Sequence, residues 1–257
     1  MKAAVFCGLR LFFICYNNTP KFIIYNRIKA ASYRLTPINE ERDTMANNIL
    51  IGPYEKISGR PFTNLDHSVM DRARLVRMTE QLVDTYHDPE VCDFSKCKKA
   101  VFQIDSEGNE FKIYYIRPKE LFSYQNIFVV GFFGHRRPNA DITPLIRADK
   151  KFKEIFLTFD GLLSLSTTQL PSGDFANLVL FTDDEAKDRW NYQPDHYDTV
   201  SKISPPYYSN VRLNNGILPN GVKSPELLKL TKVRYLDYTV SPHWRAVRKI
   251  ETLPNLD

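Results

Sequence analysis

The chain has 257 residues, 43% apolar and 25% charged, with only 10 glycines. That composition excludes disordered, collagenous and repeat proteins and allows a sizeable core. The formal charge is +5, but residues 1–39 carry six basic residues (Lys2, Arg10, Lys21, Arg27, Lys29 and Arg34) and no acid, leaving 29 basic against 30 acidic. The body is near neutral, which removes the compositional argument for nucleic acid or an anionic membrane as partner.

Residues 3–16 (AAVFCGLRLFFICY) are too short to span a membrane and are interrupted by Arg10. Residues 1–44 therefore read as a basic leader, either an organelle presequence or a stretch ahead of an effective start at Met45. The location expected is intracellular, the cytoplasm or, with a presequence, an organelle. Cys7 and Cys15 lie in the leader, and Cys92 and Cys97 are spaced C-x4-C without a second pair. This is neither a zinc site nor a disulfide framework, so free thiols are expected.

From Asn64 to His87 the residues Leu65, Val69, Ala73, Val76, Leu82, Val83 and Tyr86 form a helical stripe, stopped by Asp88-Pro89. VFQID (101–105) and EFKIYYI (110–116) read as a hairpin, so residues 45–120 are expected as a helix–hairpin unit. IFVVGFF (127–133) is a buried strand. Thr143-Pro144 opens a helix with Leu145, Ala148, Phe152, Ile155, Phe156 and Phe159 on one face, ending at Gly161. LLSLSTTQL (162–170) and FANLVLF (175–181) form a second hairpin, and Thr182 with Glu185 fits a capping box. That helix is expected to break near Pro194 and resume with His196, Val200 and Ile203 on one side. A strand over Tyr207–Leu213 closes at Asn214-Asn215-Gly216; a strand at 232–238 and a short helix after Ser241-Pro242, with Trp244, Val247 and Ile250, end the chain.

The order across 122–216 predicts an α+β fold: a ferredoxin-like βαββαβ core with a four-stranded antiparallel sheet and both helices on one face, inside a domain spanning 121–257. The other face is then open and calls for a second sheet or a pairing subunit, hence a homodimer. A degenerate internal repeat over 49–117 is the alternative cover.

Gly134-His135-Arg136-Arg137-Pro138-Asn139-Ala140, the GLLSLSTTQLPSGDFANLVLF hairpin, and Trp190 … His196 … PYYSNVRLNNGIL together resemble uncharacterised proteins related to the dimeric α/β-barrel superfamily. That superfamily includes antibiotic-biosynthesis-type monooxygenases and haem-degrading enzymes. The resemblance covers about residues 122–250 and implies a small-molecule-binding dimer, monooxygenase-like or isomerase-like on an aromatic or phenolic substrate. Haem is the cofactor implied by the haem-degrading branch; Asn126 and His196 match its pattern, while Trp190 falls on a helix rather than the third strand. No motif in the sequence itself indicates a cofactor.

The candidate catalytic residue is His196, a base or ligand on a face turned to the sheet, or else a hydrogen-bonded core histidine. Arg212, alternating with Val211 and Leu213, either enters the open-face cavity as an anion-binding group or faces solvent. Asn177 is a polar group in an apolar strand that needs a partner, in substrate or at an interface. His135, Arg136 and Arg137 precede a helix N-terminus and either hold an anion or pair with surface acids. Trp190 completes the binding set. Asp183, Asp184, Glu185 and Asp188 read as helix N-terminal acids, not metal ligands. Nucleotide, zinc-protease and hydrolase signatures do not occur. Convergence of His196, Asn177 and Arg212 on one pocket favours an enzyme; a face filled by Phe and Tyr favours a non-catalytic binding or assembly protein.

Overall fold

The computed structural model describes residues 48–88, 100–105 and 108–250. The leader and the four cysteines lie outside the described residues. The strands are β1 (Ile49–Leu50), β2 (Val101–Ile104), β3 (Glu110–Tyr115), β4 (Ile127–Arg136), β5 (Leu162–Gln169), β6 (Phe175–Phe181), β7 (Tyr208–Leu218), β8 (Lys229–Asp237) and β9 (Trp244–Lys249). The α-helices are α1 (Leu65–His87), α2 (Pro118–Leu121), α3 (Thr143–Thr158), α4 (Asp184–Asn191), α5 (Pro194–Asp198) and α6 (Ser204–Tyr207), with a π-helical turn at Thr199–Ile203 between the last two.

All nine strands make one sheet in the order β1-β9-β8-β7-β4-β6-β5-β3-β2, antiparallel except where β1 runs parallel to β9. This overturns the ferredoxin-like fold class expected from the sequence. The four strands of 127–218 do not stop as a compact βαββαβ unit: the β2–β3 hairpin extends the sheet through β5, and β8, β9 and β1 extend it through β7.

Nor is the face opposite α3 open. The α1 helix lies across it, burying Leu75, Met78 and Leu82 against Phe111, Ile113, Val129, Phe133, Leu178 and Tyr235. Its approach is close: a Cβ on Gly131 of β4 would sit 2.6 Å from Leu75 Cδ1. A helix supplied by this chain thus covers the surface assigned to a second sheet or subunit. The other face carries α3 to α6, packed through Phe156, Trp190, Leu162 and Phe181 in one cluster and Tyr207, Tyr208 and Tyr238 in another.

The buried side of α1 differs from the expected stripe. It comprises Ser68, Asp71, Leu75, Met78, Thr79, Leu82 and Thr85, whereas Val69 is 44% exposed. A half-polar stripe is stable here because the sheet beneath is half polar, with Ser164, Ser166, Thr168 and Asn214 all buried. Ser164 and Thr168 satisfy their hydroxyls by donating to the Tyr114 and Glu110 carbonyls of β3.

Three further expectations shift. The N-cap of α4 is Asp183, not Thr182, with Asp183 Oδ1 accepting from the Ala186 N–H at 2.7 Å. Asn214-Asn215-Gly216 is not a turn but part of β7, and Gly216 permits a close pairing: a Cβ there would meet the Lys229 carbonyl oxygen at 2.6 Å. Trp244–Lys249 is a strand rather than a helix, with Trp244, Ala246 and Arg248 on the α1 side and Arg245, Val247 and Lys249 on the other. No helix among the described residues is long and apolar enough to cross a membrane.

Candidate functional site

The residues singled out in the sequence separate onto both faces of the sheet. Arg212 points to the α1 side, where its Nε and Nη2 each donate to Asp71 at 2.8 Å, and Asn214 Nδ2 adds a third bond to the same carboxylate at 2.9 Å. Asp71 is 3% exposed, so this is a buried, two-pronged ion pair whose anion comes from the chain itself. The bonds leave Ser68 Oγ and Asn214 Oδ1 buried without a partner among the described residues. His67 lies near enough for burial, and then the Arg212 charge, to lower its pKa.

Asn177 sits on the opposite face, paired across the sheet with Phe132 and Thr167, and is half-buried. Trp190 and His196 are also on that side. Trp190 is at the centre of an aromatic cluster, its ring 5.5 Å from Phe156, 5.1 Å from Phe159 and 5.0 Å from His196. The backbone of His196 is placed by a Gln193 cap, whose Oε1 accepts the His196 N–H at 2.7 Å. Its Nδ1 is sealed from solvent with no hydrogen-bond partner among the described residues, and burial pulls the imidazole pKa down to about 4, against a smaller upward effect of the Asn191 backbone. The ring is neutral at pH 7 and packed among aromatics.

Above this cluster, a groove of about 340 Å³ runs between α3 and the α5–π-helical segment, lined in part by Arg147, Lys151, Phe152, Asp195, Asp198 and Lys202. Lys151 pairs with Asp195 across its walls, and Lys202 with Asp198 along one of them. Both of its carboxylates are thus taken by lysines of the chain itself, and neither His196 nor Asn177 lines it.

His135 to Arg137 do not form an anion cradle either. His135 Nδ1 meets Asp174 Oδ2 at 2.8 Å and the Arg136 N–H donates to Asp174 Oδ1 at 2.9 Å. Burial works against ionisation of Asp174, but these bonds outweigh it and hold the carboxyl below its ordinary range. The Arg137 guanidinium donates to the Pro205, Tyr208 and Tyr238 carbonyls, tying α6 to the ends of β7 and β8. No group of three or more metal-ligating side chains occurs among the described residues.

The surface that sequence reasoning missed is on the α3 side of the sheet, beyond the helices. Alternation, together with the register shift of β8 opposite Asn215 and Gly216, places Lys229, Lys232 and Arg234 of β8, and Arg245 and Lys249 of β9, on one face. Among the described residues none of these five cations is in an ion pair. Asp184 and Asp188 of α4 act on Lys232 only at long range and bond Lys187 instead. The signal was present in K-L-T-K-V-R and R-A-V-R-K, but reading the second as helix dispersed it.

No family model matches this chain, and no curated protein or solved structure matches it.

Proposed function

We propose that this is a non-catalytic binding protein that engages an anionic partner through the open face of β8 and β9. The observation that carries this reading is the set of five cations on one sheet face, unpaired among the described residues. An enzymatic reading on phenolic substrates required His196, Asn177 and Arg212 to meet. Arg212 is on the far side of the sheet from the other two and is occupied by Asp71, and the space between sheet and helices is filled by aromatic side chains.

A homodimer formed through the face opposite α3 would have to displace α1. One formed through the β8–β9 face would set five cations against five, which like-charge repulsion opposes. The favoured occupant is therefore a different molecule.

The test is a screen of wild-type protein against phenols, quinols and haem, by turnover and by melting temperature. The expected result is no turnover and no stabilisation. Saturable turnover abolished by His196→Ala would establish the enzymatic reading instead.

A further inference from the structure

We infer that the partner on the β8–β9 face is an acidic amphipathic helix of another protein; this rests on the binding reading above and names its partner. The sheet is unevenly layered. On the same side of the sheet, β4, β5 and β6 are covered by α3 and α4 through the Phe156, Trp190 and Phe181 cluster. The sheet then continues through β8, β9 and β1, and Arg245 and Lys249 there are exposed, as is Leu50 at 68%. Three strands at a spacing of about 4.8 Å make a shelf about 14 Å wide. That is room for one α-helix, about 10 Å across, the element that ordinarily closes an α/β layer.

Charge and apolar placement then select the helix. Leu236, Val247 and Leu50 lie among the cations on this face, paired by register with Arg245, Arg234 and Val247 respectively. A helix with a narrow apolar stripe flanked by carboxylates presents the complementary pattern. The alternatives fit less well. A sheet that binds single-stranded RNA uses aromatic side chains to stack bases, and the positions of β8 and β9 on this open face carry none. A bilayer surface needs several apolar side chains that project beyond the basic ones, whereas of Leu50, Val247 and Leu236 only Leu50 projects: Val247 is half-buried and Leu236 packs against the Tyr207, Tyr208 and Tyr238 cluster.

The experiment uses the full chain and a fluorescent synthetic peptide of about 20 residues, a Leu/Glu amphipathic helix long enough to cross the shelf. Controls are the same peptide with Lys for Glu, a single-stranded oligouridine, and phosphatidylserine vesicles. The Glu peptide should bind saturably near physiological salt, and the Lys peptide should not. In Arg234→Glu/Lys249→Glu, binding should fall by about tenfold or more, while Arg234→Lys/Lys249→Arg retains it and both variants melt with wild type. No binding of the Glu peptide, or binding unchanged by the charge reversal, overturns the inference. Oligouridine or vesicles bound more tightly, and lost on charge reversal, would overturn the helix while leaving the binding face standing. Turnover in the phenol screen would instead remove the binding reading itself.

Discussion

Arg248 and Arg234 stand one register step apart on neighbouring strands, yet they meet opposite fates. Arg248 faces α1 and is fully buried, and every arm of its guanidinium is used: Nε donates to the Tyr235 hydroxyl, Nη1 to the Gly52 and Pro53 carbonyls, and Nη2 to Glu55 and Thr63 at 2.8 Å each. Arg234, paired with Val247 on the other face, has no ion-pair partner among the described residues. Residue type alone therefore says little about the role of a cation in this sheet. The face decides: one side has been neutralised by carbonyls and by Asp71, and the other has not.

The largest effect is expected where a buried cation loses its neutralising partner. Asp71→Leu should destabilise by about 3–5 kcal/mol, because it leaves the Arg212 guanidinium buried without a counter-charge. Asp71→Leu/Arg212→Leu should recover part of that loss, since replacing both members is far cheaper than orphaning one. Denaturation midpoints of the three proteins test it, and equal losses in the single and double variants would deny the pair its structural role.

A smaller loss is expected at Arg248. Arg248→Met keeps much of the volume but leaves the carbonyls of Gly52, Pro53, Glu55 and Thr63 without their donor. Gly52, Pro53 and Glu55 can reach water while Thr63 is fully buried, so the cost should be about 2–4 kcal/mol rather than the sum of all the bonds. Faster amide exchange confined to residues 52–63 would identify the cause.

These two faces also mark what was legible in the sequence. The hairpins at 101–116 and 162–181 and the helix at 143–158 were readable because their patterns are long or bounded by strong turns. The six residues of β9 were not: Trp244, Val247 and Ile250 are spaced three apart and mimic a helical stripe, and only pairing with β8 shows that the true period is two. The covering role of α1 was hidden for a different reason. Its inward residues include Ser68, Asp71, Thr79 and Thr85, which any hydrophobic template assigns to solvent. Asp71 is tolerated because its partners, Arg212 and Asn214, come from a strand more than 100 residues away, while Thr79 donates to the Leu75 carbonyl and Thr85 accepts from Gln81 within the helix. For the same reason Arg212 read as a free anion-binding group: its anion is remote in sequence.

His196 provides a third contrast, a titratable group buried without charge. Its folded pKa of about 4 lies below the ordinary 6.5. The unfolded chain therefore binds a proton more readily than the fold between those values. Its contribution is complete above pH 6.5, falls as pH drops through that range and is lost below about pH 4, on the order of 3 kcal/mol. His196→Phe should flatten this limb of the stability profile, with little change at pH 8. Persistence of the full slope in the variant would assign it to other groups, His67 first, since its pKa is also lowered.

The smallest effect belongs to the open face, and its smallness is the point. Lys232 is half-buried; burial first, and then the neighbouring Arg234 and Lys187 charges, lower its pKa. The fold thus holds this ammonium at some disadvantage, and Lys232→Gln should leave stability within about 0.5 kcal/mol of wild type, or raise it slightly. Moderate salt should raise the melting temperature of wild type more than that of Lys232→Gln, because screening relieves a repulsion that the variant no longer has. A substantial loss of stability on this substitution would mean that Lys232 holds the fold together as Arg248 does. The contrast between the two faces would then fail at the residue where burial and like charge meet.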